Sequence, residues 1–125
     1  MWCPSGMLKG GVVERVLADC RARLGFDLLA NTWNAVVIQA LGAGPLRPRD
    51  LHAVIGSISS KVLNETLRRL TEYALVERTV HAGAPRRVEY ALTPLGRTLL
   101  EPIAALGRWS AEHGDAFVAA QGWDD

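Results

Sequence analysis

Ser59, Ser60, Lys61, Asn64, Glu65 and Arg68 are the residues whose types and spacing are best suited to chemistry. At helical spacing they lie opposite Leu63, Leu67 and Leu70, so one flank can pack inward while the other presents polar groups. Duplex DNA suits such a flank. Its major groove is roughly 12 Å wide and exposes base edges that asparagine matches at adenine and lysine or arginine at guanine. The same cations can instead neutralise phosphates, and the free N–H groups at the start of the helix favour an anion. A solvated helix face is the plainer reading of the same residues. Two more pairs of cations stand nearby. Arg86 and Arg87 follow the loop Ala82-Gly83-Ala84-Pro85, where a hairpin tip can reach the minor groove or flanking phosphates. Arg47 and Arg49 bracket Pro48 and are phosphate candidates. Loop arginines also serve simply as solubilising charges.

Other chemistries find little support. His52, His81 and His113 have no ligand spacing with one another or with Cys3 and Cys20, so no metal or other cofactor is expected. No nucleophile stands paired with a base, and no phosphate loop or glycine fingerprint occurs, so the chain does not read as an enzyme. Ser57, Ser59 and Ser60 near His52 are better explained as turn and cap residues. Two cysteines are too few for a disulfide scaffold. The uncharged stretch from Leu28 to Leu46 approaches the length of a membrane span. Asn31, Asn34, Gln39, Gly42, Gly44 and Pro45 interrupt it, which points to a buried soluble helix and a turn. With no signal-peptide pattern at the start, a cytoplasmic location and no membrane partner are expected.

At 125 residues, with 49% hydrophobic and 22% charged, the chain fits one folded domain and is too short for a large catalytic barrel. Net charge is only +1, but residues 43–90 carry +3 and residues 91–125 carry −3. A basic middle suits a polyanion-binding face.

These residues need positioning elements. Val13, Val16, Leu17, Cys20, Leu24 and Leu28 recur at helical steps, predicting a helix over 12–29. Asn31 or Thr32 can cap a second helix, Trp33 to Leu41, which Gly42-Ala43-Gly44-Pro45 stops. Pro48 opens a short helix to Ile55 with Leu51, Val54 and Ile55 inward, and Gly56-Ser57 turns the chain. Ser59 caps a helix to about Tyr73, with Leu63, Leu67, Leu70 and Ala74 as its apolar stripe and Thr66 on the border. From Val76 the period changes to two, giving a hairpin of Val76–His81 and Arg87–Leu92. Thr93-Pro94 opens a last helix to about Ala120, with a kink or break expected at Pro102. A short helix, a tight turn, a polar-faced helix and a hairpin make a winged helix-turn-helix.

Particular residues carry a resemblance. Ile58-Ser59-Ser60-Lys61-Val62-Leu63, Leu67-Arg68-Arg69-Leu70 and Arg87-Val88-Glu89-Tyr90, followed by Leu92-Thr93-Pro94-Leu95-Gly96, resemble the HxlR-type winged helix-turn-helix regulators of bacteria, relatives of the MarR group. The match covers roughly residues 20–113. It includes a cysteine and tryptophan thirteen apart, Cys20 and Trp33, but Arg21, Ala30-Asn31-Thr32 and Pro48 depart from the family's usual residues. The resemblance implies a sequence-specific DNA-binding transcription regulator, a repressor in its simplest form. It also implies that Cys20 can sense oxidants or electrophiles. Arg21 and Arg23 supply the positive charge that a reactive thiolate needs, whereas an inert thiol on the apolar stripe is the alternative. Cys3 has no counterpart in the family.

The expected fold is therefore mainly α with a small β-hairpin (α+β), a winged helix-turn-helix with N- and C-terminal dimerisation helices. Residues 1–125 read as a single domain, comprising N-terminal helices at 12–42, the helix-turn-helix at 47–73, the wing at 76–92 and a C-terminal helix at 94–120. Val12, Val13, Leu17, Leu99, Ile103, Leu106, Trp109 and Phe117 exceed what a small core needs, which suits a homodimer. The expected partners are double-stranded DNA with an inverted-repeat operator, a second copy of the chain and a possible small-molecule inducer. The rival class is a winged-helix protein-interaction module without DNA binding.

Overall fold

The computed structural model describes residues 20–122 of the chain. Two compact units divide the molecule, Met1–Ala35 and Val36–Asp125. In the first, helix α1 runs Cys20–Ala30; the predicted 12–19 portion lies outside the described residues. Helix α2, Thr32–Ala40, begins here and continues into the second unit. Its start is built by asparagines. The side-chain oxygen of Asn31 accepts from the Trp33 N–H at 3.0 Å, as an N-cap does, and Nδ2 of buried Asn34 donates to the Leu28 carbonyl at 3.0 Å. Leu24, predicted on the inward stripe, is exposed, as is Phe26.

In the second unit the later part of α2 buries Val37 and Ile38, and a 3-10 turn, Leu41–Ala43, buries Leu41. This is the deep burial expected of the second helix, except that Val36, expected with them, is half-buried. Helix α3 spans Pro48–Ile55 and helix α4 Ser60–Glu72. Pro48 takes the first helical position, where a missing N–H costs nothing. Between the helices, Gly56 sits at φ 89°, and its N–H closes α3 on the His52 carbonyl at 2.8 Å. Leu51 is buried, but Val54 is 64% exposed rather than inward. Ile58, just beyond the turn, is buried instead.

Leu63, Leu67 and Leu70 of α4 are buried as predicted. Thr66 joins them fully, its hydroxyl satisfied by donating to the Val62 carbonyl at 2.8 Å. Ala74 leaves the stripe and is exposed, because the chain reverses there. The Leu75 N–H bonds the Leu70 carbonyl and the Ala74 N–H the Thr71 carbonyl, both at 3.0 Å. This double bond pattern is a Schellman motif, and it puts Ala74 at φ 63°, a place usually held by glycine.

Strands β1, Val76–His81, and β2, Arg87–Leu92, pair antiparallel with the predicted boundaries, from Val76 opposite Leu92 to His81 opposite Arg87. Leu46 adds an unforeseen bridge to β2, exchanging backbone hydrogen bonds with Tyr90 at 3.0 and 2.8 Å. That bridge ties the start of the helix-turn-helix to the wing.

Helix α5, Pro94–Arg97, and helix α6, Leu100–Gln121, follow. The break falls at Thr98–Leu99, not at Pro102. Pro102 is the third residue of α6, within the first turn, where N–H groups have no intrahelical acceptor, so its ring is accommodated without a kink.

Thr93 organises the junction between these elements. Its hydroxyl donates to the Ala74 carbonyl at 2.7 Å and accepts from the Gly96 N–H at 3.0 Å, while its own N–H donates to the Leu75 carbonyl at 3.1 Å. Gly96 is buried against Leu75, and a Cβ there would collide with the Leu75 carbonyl oxygen. Backbone cannot yield as a side-chain tip can. Gly96→Ala is therefore expected to destabilise the fold by at least about 1–3 kcal/mol, the usual cost of overpacking. Ala74→Gly, which relieves a left-handed residue, is expected to leave stability unchanged or raise it by about 1 kcal/mol. Urea unfolding midpoints of the two variants check both signs.

Candidate nucleic-acid interface

Helix α4 begins where its sequence requires. Ser59 has extended backbone, φ −78° and ψ 157°, and its Oγ accepts from the Val62 N–H at 3.1 Å. The Ser59 hydroxyl oxygen is thus committed to capping. The other predicted residues of this helix, Ser60, Lys61, Asn64, Glu65 and Arg68, are all exposed; Lys61, Glu65 and Arg68 face away from the buried leucines, whereas Ser60 and Asn64 stand at the edge of that flank, nearer Leu63 and Leu67.

The predicted cations divide among three supports. Lys61 and Arg68 are on α4. Arg47 is half-buried at the N-cap of α3, and Arg49 is exposed in its first turn. Arg86 ends the hairpin loop and Arg87 opens β2, both exposed. None of these six takes part in an ion pair among the described residues. Unpaired exposed cations gain little from folding, and they are free to meet an anion.

The wing holds one polar contact that sequence reasoning missed. His81 Nε2 and Glu89 Oε1 lie 2.9 Å apart on the outward face of the hairpin, next to Arg87. The signal was present once the register is known: Glu89 is two residues from Arg87, the cross-strand partner of His81, so both side chains share a face. Also missed was His52. It lines a cleft between α3 and α4 together with Pro48, Arg49, Ser60, Leu63 and Asn64. Cys20 is the first residue of α1, and its side chain lies outside the described residues, as does all of Cys3. Among the described residues no group of three or more His, Cys, Asp or Glu could hold a metal ion. None of the described helices is long and apolar enough to cross a membrane.

A short helix, a tight turn and a helix with its polar flank outward, followed by a two-stranded wing and a long helix, define a winged helix-turn-helix DNA-binding transcriptional regulator. The chain belongs to the HxlR-like helix-turn-helix family, which it matches over residues 28–117. That match begins beyond Cys20. The chain is 36% identical over 93 residues to the transcriptional regulator YodB of Bacillus subtilis, covering 72% of this chain and 83% of YodB. It is 34% identical over 91 residues to the HTH-type transcriptional regulator YtfH of Escherichia coli, covering 73% and 72%. The reduced form of YodB superposes with a TM-score of 0.66 at 33% identity, covering 72% of this chain and 88% of that one. The reduced form of the redox regulator HypR gives 0.73 at 25% identity, covering 79% and 98%.

The committed role of Ser59 gives an expectation that concerns stability alone. Ser59→Ala should cost about 1 kcal/mol, and Ser59→Asp, another good cap, should retain wild-type stability. Thermal unfolding followed by circular dichroism distinguishes the two.

Proposed function

We propose that the chain acts as a homodimeric, sequence-specific repressor that reads an inverted-repeat operator with α4 in the major groove. The observation that carries this reading is the exposed flank of α4, set opposite a fully buried leucine stripe and bearing cations without partners. Residues 1–125 work as one such domain, in the cytoplasm, with no catalytic role. Lys61, Asn64 and Arg68 address base edges or their phosphates, and Ser60 and Glu65 border them. Arg86 and Arg87 on the wing, with Arg47 and Arg49 at the start of α3, hold the flanking backbone.

The C-terminal helix supports the dimer. None of the described residues of α6 is buried, although Leu106, Trp109 and Phe117 recur along it. Their rings already associate: Trp109 lies 5.6 Å from His113 and 6.4 Å from Phe117 between centroids. A second copy would cover this stripe. Two recognition helices would then stand roughly 34 Å apart, one turn of DNA.

Cys20 is the sensor candidate. Its support is similarity to YodB, solved both reduced and after diamide treatment, and to HypR, solved reduced and oxidised. A small-molecule inducer acting without the cysteine is the alternative route to the same regulation.

Light scattering at micromolar concentration should return the mass of a dimer, and a monomer mass would remove this quaternary assignment. Specificity and affinity separate in a salt series with a duplex enriched by in vitro selection and a scrambled one. Asn64→Ala should cost about 1–3 kcal/mol on the selected duplex and narrow its advantage. Arg87→Ala should weaken both duplexes alike and shrink the salt slope by about one unit. If Asn64→Ala changes neither affinity, α4 does not present that residue to the groove. For the sensor, diamide should alter the affinity of the wild type and leave Cys20→Ser unchanged. An equal response in the variant would exclude Cys20.

A further inference from the structure

We infer that the cleft between α3 and α4 seats one backbone phosphodiester of bound duplex DNA, and that His52 is a DNA-contacting residue. The inference rests on the reading that α4 enters the major groove. The cleft has a volume of about 310 Å³ and is lined by Pro48, Arg49, His52, Ser60, Leu63 and Asn64. Its chemistry is divided. Buried Leu63 and half-buried Pro48 give it an apolar part, while a guanidinium, an imidazole, a hydroxyl and a carboxamide supply donors.

No carboxylate lines the cleft. Asp50, beside Arg49 in sequence, is exposed and does not contribute to it. Donors without a facing acid suit an anion, and a guanidinium is the side chain best matched to phosphate oxygens. The apolar patch suits the deoxyribose that accompanies a backbone phosphate and would waste a free inorganic ion.

Helix spacing makes the cleft a single site. Arg49 and His52 are three apart on α3, and Ser60 and Asn64 are four apart on α4, so each pair shares a face. Ser60 and Asn64 also border the outward flank of α4. A strand whose base Asn64 addresses therefore runs across the mouth of the cleft. His52 and Arg49 meet that strand from the other helix, and their grip fixes how deeply α4 sits. His52 is thus a contact residue that acts on both specific and nonspecific duplexes.

The test uses the full-length protein and a duplex recovered by in vitro selection, synthesised with one neutral methylphosphonate at each backbone position in turn. In the wild type, one position per half-site should weaken binding on the order of tenfold, the effect of losing one charge-assisted contact. In His52→Ala and in Arg49→Ala the same substitution should have a smaller effect, and in the double variant little further effect, because both donors to that phosphate are then gone. His52→Gln, which retains an N–H donor, should fall between. Circular dichroism melting of each variant checks that it is folded. If His52→Ala binds every duplex as the wild type does while Asn64→Ala loses discrimination, the cleft is empty in the complex and the inference is overturned, with the reading of α4 intact. If His52→Ala changes preference at one base pair and no methylphosphonate position is masked, the cleft reads a base and the inference is again overturned. Failure of selection to enrich any duplex would overturn both this inference and the reading beneath it.

Discussion

The turn at Ala74–Leu75 and its attachment to Thr93 is the constraint on which the placement of the wing beside α4 depends. At this point the recognition helix ends, the wing begins and the C-terminal helices depart. Thr93 joins all three with its hydroxyl and N–H, and Gly96 allows the backbone of α5 to lie directly on the Leu75 carbonyl. Leu75, Val76 and Leu92 are buried around it. Tilting the wing relative to α4 would break these hydrogen bonds and uncover Leu75, Val76 and Leu92. The Leu46–Tyr90 bridge restrains the other side of the wing. Helix and wing therefore present their cations in a fixed relation, which a duplex of fixed groove spacing requires.

The same fold separates stability from recognition. The leucines of α4 carry its packing, so the opposite flank is free to hold polar groups chosen for what they meet. Helix α6 shows the complementary pattern. It is 22 residues long, about 33 Å at the helical rise, yet buries none of its described residues within the chain. Helices in proteins gain most of their stability from packing an apolar face, and in the proposed dimer the exposed stripe that includes Leu106 and Trp109 meets the second copy. In the proposed reading, dimerisation and DNA reading occupy different helices of the second unit.

Much of this was legible in the residues because local chemistry dictated it. Ser59 and Pro48 mark helix starts through capping and a fixed φ, and both helices begin there. The hairpin ends where period-two alternation meets Ala82-Gly83-Ala84-Pro85. What escaped was set by tertiary context. Val54 is as apolar as Ile55, yet Val54 is exposed and Ile55 half-buried, which only the packing of α3 on the rest of the unit decides. Ala74 continues a helical stripe on paper, but the Schellman reversal ends the helix first. The bridge at Leu46 leaves no pattern, since a single paired residue has no period. The exposed flank of α4 could be listed residue by residue from helical spacing, whereas His52 could join the site only when α3 was placed against α4.

Backbone amide chemical shifts, followed by NMR as a selected duplex is added to the full chain, test the central claim most directly. This account predicts that the largest changes fall on Ser60, Lys61, Asn64, Glu65 and Arg68, with a second group at Arg86 and Arg87. Amides along the Leu106–Phe117 stripe of α6 should remain nearly unmoved. Saturable binding that leaves the amides of α4 unshifted while perturbing that stripe would contradict it, and α4 would not be the element that reads DNA.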